Sequence, residues 1–143
     1  MKNLKVKDAM TRGIFTIPQD ASVKQAVEIL ADNDVSGLAV TSIEGELVGV
    51  LSETDLAKVV SKEIESDEEL DKIKVSEIMT APAMTVSRED SLTEACKLMC
   101  NNNIHRLIIQ QEVKRGGETK YFPSGILSIS DVVKMLAGRW TRG

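Results

Sequence analysis

Two short stretches of the chain carry residues suited to holding a ribose and its phosphate. Residues 49–55 read GVLSETD and residues 125–131 read GILSISD. Gly, Leu, Ser and Asp recur at the same places, and Val50/Ile126 and Thr54/Ser130 are near equivalents. A helix opening after Ser52 or Ser128 would offer unpaired N–H groups and a serine hydroxyl to an anion. A carboxylate three residues on, Asp55 or Asp131, can accept hydrogen bonds from two vicinal hydroxyls, as proteins commonly do with ribose. The preceding glycine would let a ligand approach the backbone closely. The same pattern also has a plain structural reading, in which Ser-x-x-Asp caps a helix and its acid complements the helix dipole.

The elements that must position these residues are themselves duplicated. KVKDAMT (5–11) matches KVSEIMT (74–80) at an offset of 69. At that offset FTI (15–17) falls on MTV (84–86), SVKQAVEILADND (22–34) on SLTEACKLMCNNN (91–103), and VSGLAV (35–40) on IHRLII (104–109). The offset becomes 76 at the heptapeptides, so the second copy carries seven extra residues between Gln110 and Ser124. A tandem duplication with one insertion follows. It predicts repeats over 1–60 and 75–138, an acidic helical linker over 61–74 and a tail over 139–143.

Each copy reads as β-α-β-β-α. A short extended piece precedes a helix headed by Ser22 or Ser91, each with Gln25 or Glu94 placed for a capping box. Val23, Ala26, Val27 and Leu30, like Leu92, Ala95, Cys96 and Met99, recur at helical spacing, and DND or NNN stops the helix. Strands over 38–41 and 107–110 follow. A tight turn at EGE joins the next strand in copy one; in copy two the connection EVKRGGETKY reads as a longer, basic, glycine-hinged loop. The second strands, 47–51 and 125–127, run into the heptapeptides. One such unit is too small to bury Leu38, Val40, Val48 and Val50 alone. The expected fold is therefore α+β, two repeats packed sheet to sheet with pseudo-two-fold symmetry and two equivalent clefts where they meet.

Composition narrows the function classes. Aliphatic residues must build the core, since aromatics are only 3% of the chain; that scarcity and a net charge of −4 argue against a general nucleic-acid binder. No apolar run is long enough to span a membrane and no secretory h-region opens the chain. Cys96 and Cys100, four apart on a helix, read as reduced apolar residues facing a core, which suits the cytoplasm. With His105 the only histidine, a zinc site is not expected. No P-loop or dinucleotide fingerprint appears, and no nucleophile or acid stands near His105 in sequence. A binding module is expected, without catalytic activity and without a required cofactor.

The paired β-α-β-β-α units, each ending Gly-h-h-Ser-x-x-Asp, together with the two MT openings and the strands GLAV and RLII, resemble tandem CBS (cystathionine-β-synthase) domains, a Bateman module. The family often has Pro inside the second strand, where this chain has Ala39 and Ile108. The resemblance implies a sensor of adenosine-containing ligands such as AMP, ADP, ATP or S-adenosylmethionine, acting through a partner protein. It also implies crossed clefts. Cleft A would combine Ser52 and Asp55 with Thr80, Met84, Ile104, His105 and Arg106. Cleft B would combine Ser128 and Asp131 with Thr11, Ile14, Phe15, Val35, Ser36 and Gly37. Arg106, a planar fork suited to phosphate oxygens, and His105 would then bias cleft A toward phosphate-bearing nucleotides, leaving cleft B to neutral adenosyl groups or empty. The resemblance further implies a homodimer formed through exposed helices; Trp140 reads either as covering such a surface or as part of a frayed tail. Two other readings compete: a purely structural dimerisation module, and nucleic-acid binding through Lys114, Arg115, Lys120, Arg139 and Arg142.

Overall fold

The computed structural model describes residues 3–64 and 66–138; Arg139, Trp140 and Arg142 lie outside them. Its elements run β1 (Thr11–Arg12), β2 (Thr16–Pro18), α1 (Val23–Asn33), β3 (Gly37–Thr41), β4 (Leu47–Ser52), α2 (Glu53–Val60), α3 (Asp67–Lys72), α4 (Val75–Ile78), β5 (Thr85–Val86), α5 (Leu92–Asn101), β6 (Arg106–Arg115), β7 (Glu118–Ser128) and α6 (Ile129–Leu136). Two compact units result, one of Phe15–Ala83 and one of residues 3–14 with 84–138. The spatial partition therefore differs from the sequence repeat, because each unit takes its opening MT segment from the other copy.

In the unit Phe15–Ala83, β2 and β3 run parallel and are joined by α1, as a parallel pair requires, and β4 returns antiparallel to β3. Residues 84–128 repeat the plan with β5, β6 and β7, and β1 adds to the outer edge of β7. Each unit has its own core, centred on a strand buried over consecutive residues, β3 throughout and β6 at Leu107–Ile109. Ile17, Ala26, Leu30, Leu38, Val40, Leu51 and Val75 form one. Val86, Leu92, Ala95, Met99, Leu107, Ile109 and Leu127 form the other, joined by Val6, Ala9 and Met10 of the opening segment.

The caps follow the sequence closely. Ser22 and Gln25 make a reciprocal capping box. Ser91 accepts the Glu94 N–H, but the Glu94 carboxylate turns to Lys97 instead of completing its box. Asn33 and Asn102 each donate to a carbonyl four residues back, Ile29 and Leu98, closing the last turns. The helical part of the linker is shorter than the expected 61–74: among its described residues only Asp67–Lys72 is helical, capped by Ser66.

Two expectations are corrected. The insertion EVKRGGETKY is not a loop, because β6 and β7 continue through it as a ribbon paired out to Arg115 and Glu118. Gly116 and Gly117 close it with φ of +55° and +82°, the two positive values a tight two-residue hairpin needs. Nor do both cysteines face a core: Cys96 packs at the margin of one, whereas Cys100 is exposed.

Candidate functional site

At the end of β4 the extended backbone of Ser52 (φ −113°, ψ 167°) starts α2. Its hydroxyl accepts the Asp55 N–H at 3.3 Å, and the Asp55 carboxylate accepts the Ser52 N–H at 2.9 Å and the Ser52 hydroxyl at 3.1 Å. Ser128 and Asp131 repeat this at α6, with 3.1 Å and 2.9 Å for the two backbone bonds. Both aspartates are only 6% exposed. Buried carboxylates require hydrogen-bonded partners, and these boxes supply them.

A threonine completes each arrangement. Thr80 Oγ1 donates to Asp55 Oδ1 at 3.2 Å, and Thr11 Oγ1 donates to Asp131 Oδ1 at 3.3 Å. Each donor comes from the MT opening of the opposite copy. A carboxylate has about four acceptor positions. The hydrogen bonds just described use three at Asp55 and two at Asp131, so each keeps acceptor capacity for a further hydroxyl.

The heptapeptide glycines explain how the threonines arrive. A Cβ on Gly49 would lie 2.8 Å from both Met79 Sδ and Thr80 O, and one on Gly125 would lie 2.7 Å from Thr11 O. The expectation that these glycines clear space for a ligand is corrected: the space is filled by the chain. Thr80 exchanges backbone hydrogen bonds with Val50 (2.9 and 3.0 Å), and Thr11 pairs with Ile126. A residue larger than glycine would push the threonine off its aspartate.

The opening segments are anchored by matching backbone bonds. Val6 and Lys7 donate to Asp90 and Arg88, and the equivalent Val75 and Ser76 donate to Ala21 and Gln19. Among the described residues only the first has a charged clamp, in which Lys5 and Lys7 both reach Glu89 at 2.9 Å. The Lys7 hydrogen bond, followed by that of Lys5, lowers the Glu89 pKa to about 2. Sequence reasoning passed over this clamp, although KVKD facing a loop that contains RED was a visible signal.

The remaining expected residues fall into two neighbourhoods. Ser36 and Gly37 stand beside the first box: Gly37 pairs with Ser52, and Ser36 O accepts the Glu53 N–H at 3.2 Å. Val35 packs at the edge of the same core, and Phe15 is exposed, its carbonyl accepting the Ala39 N–H. His105 and Arg106 stand beside the second box: Arg106 pairs with Ser128, and His105 O accepts the Ile129 N–H at 3.0 Å. Ile104 packs at the margin of that core. Met84 is partly exposed, and Ile14 closes the opening segment of that unit. Asp55 thus shares a unit with Ser36-Gly37, and Asp131 with His105-Arg106.

This architecture, with its twice-repeated box, is that of a known family. The family model for the CBS domain matches residues 6–62 and 75–138, and the chain belongs to the CBS domain family as a tandem pair. It is 28% identical over 138 residues to the uncharacterized protein MJ1232 of Methanocaldococcus jannaschii, covering 96% of this chain and 41% of that one. The chain spans less than half the length of the curated relatives it matches first. Among solved structures, the CBS domain pair of protein MJ0100, in complex with 5-methylthioadenosine and S-adenosyl-L-methionine, superposes with a TM-score of 0.78 at 22% identity, covering 96% of this chain and 98% of that one. CBSX2 in complex with AMP gives a TM-score of 0.72 at 28% identity over 94% of this chain and 96% of that one. Among the described residues no helix is long and apolar enough to cross a membrane.

Proposed function

We propose that the chain is a regulatory module that binds adenosine-containing ligands and passes the signal to a partner protein. The observation that carries this reading is the pair of buried Ser-x-x-Asp boxes, each with acceptor capacity left on its carboxylate. Asp55 and Asp131 accept ribose hydroxyls, while the Ser52 and Ser128 hydroxyls face ribose or phosphate. Arg106, with a permanent charge and a fork matched to phosphate, together with His105, favours nucleotides over neutral adenosyl groups. Binding of AMP by CBSX2, a relative at 28% identity, supports the ligand class. The crossed grouping, Asp55 with Thr80, Met84, Ile104, His105 and Arg106, and Asp131 with Thr11, Ile14, Phe15, Val35, Ser36 and Gly37, belongs to this proposal. A ligand acts as a signal only by binding one conformation more tightly than another. The chemistry needs no catalytic residue, and the two thiols suit a reducing compartment such as the cytoplasm.

Calorimetric titration of AMP, ATP and S-adenosylmethionine into wild type, Asp55→Asn and Asp131→Asn tests the reading. Loss of one binding event in each variant supports it, and unchanged isotherms in both would refute it. A purely structural module is the second reading, favoured by the internal hydrogen bonds that already occupy both carboxylates; absence of any thermal stabilisation by millimolar nucleotide would select it. Self-association through helices also belongs to the proposal. Ile129, Val133 and Leu136 of α6 are exposed, beside an apolar groove of about 400 Å³ lined by Leu92, Cys96, Val132 and Met135.

A further inference from the structure

The ribbon that replaces the expected loop has an edge suited to a second copy of the chain. Strand β5 pairs with β6 only at Ile108 and Ile109, and among the described residues no strand but β7 pairs with β6 beyond that point. Ile108 donates its N–H to Met84 O on the β5 side. The extra residue at the register shift, Ser124, lies in β7, so the alternation of β6 continues unbroken. It turns the backbone groups of Gln110, Glu112 and Lys114 to the open side. A lone two-stranded ribbon is marginally stable in water, and further strands along its edge stabilise it.

The side chains on this edge are self-complementary in one register. About a two-fold axis at Val113, antiparallel pairing sets Glu112 against Lys114 of the second copy, and Lys114 against Glu112. Gln111 then faces Arg115, and Val113 meets its own counterpart. Glu112 and Lys114 are both exposed. An edge lysine ordinarily opposes strand addition; here an acid two residues away makes one arrangement attractive. The other edge of the ribbon lacks this property. In β7 the outward-turned position nearest the sheet is Pro123, which has no N–H to offer, and the equivalent axis at Lys120 would bring two lysines together. We propose that two copies of the chain associate through their β6 edges, centred on Val113, forming a continuous four-stranded ribbon. This surface is separate from the helices invoked above, and its test does not depend on ligand binding.

At a non-hydrogen-bonded antiparallel pair the Cα atoms lie about 4.5 Å apart, within the span a disulfide accepts. Full-length Val113→Cys should therefore form an intermolecular bond at position 113 under mild oxidation, mapped by peptide mass spectrometry. Ile43→Cys, at a fully exposed turn, is the reference for random collision. Adding Glu112→Lys should slow the position-113 linkage about tenfold by setting like charges opposite each other, and adding Lys114→Glu to that variant should restore it. The proposal is overturned if Val113→Cys links no faster than Ile43→Cys. It is equally overturned if the charge-swapped double variant links no faster than Glu112→Lys alone, which would leave the edge to a different partner.

Discussion

The two Ser-x-x-Asp boxes are built alike, whereas the strand ends beside them are not. Around Asp55 and around Asp131 the same four features recur: a serine cap, a buried carboxylate, a threonine donor and a glycine that admits the threonine strand. Beside the first stands Ser36-Gly37, and beside the second His105-Arg106. Between β3 and β4 the turn closes tightly, with Gly45 donating to Ser42 O; between β6 and β7 a ribbon extends. Duplication has kept what any unit of this plan needs in order to fold. Residues that touch solvent or a ligand have been free to differ, so specificity is expected at those positions.

This comparison can be broken at several depths. Leu51 and Leu127, equivalent and fully buried, should each lose about 2–5 kcal/mol on replacement by alanine. Urea denaturation giving losses that differ by more than that range would show the two cores to be unequal. Gly49→Ala and Gly125→Ala force a Cβ against a backbone oxygen and should each destabilise by about 1–3 kcal/mol. They should also loosen the threonine strand, read as faster hydrogen exchange at the Thr80 amide in the first variant. Ser52→Ala and Ser128→Ala remove equivalent caps and should cost about 0.5–2 kcal/mol each, with similar shifts in thermal midpoint.

The smallest effect should separate the units. Glu89 has its pKa lowered to about 2, so its hold on Lys5 and Lys7 is complete above the ordinary carboxylate value near 4.5 and is lost as pH falls toward about 2. Hydrogen-exchange protection factors at the Val6 and Lys7 amides, corrected for the intrinsic pH dependence of exchange, should fall across that window, while those at Val75 and Ser76 should not follow the same titration. The ion pairs are exposed, and contributions of this kind are small.

Much of the fold was legible because it was written twice. The offset of 69 aligned helices, caps and strands without any appeal to propensity, and both Ser-x-x-Asp caps form as their spacing implies. Two things were not legible. The meeting of Thr80 with Asp55 of the other copy was implied by the family resemblance and not by the residues themselves, since a linear repeat looks the same whether or not its opening segments are swapped. The glycines read as ligand clearance because sequence cannot say which chain fills the room beside a missing Cβ. The ribbon, in contrast, was misread in spite of an available signal: Gly116-Gly117 flanked by Val113 and by Tyr121-Phe122 is a hairpin pattern, hidden by the charges around it.

The central claim, that equivalent boxes with unequal neighbours discriminate between ligands, is tested most directly by titrating AMP and adenosine into wild type and Arg106→Gln. A hydrogen bond between charged groups is worth about 1.5–3 kcal/mol, so AMP should bind roughly 10- to 150-fold more weakly to the variant while adenosine affinity is unchanged. Equal weakening of both ligands, or no change in AMP affinity, would contradict the account.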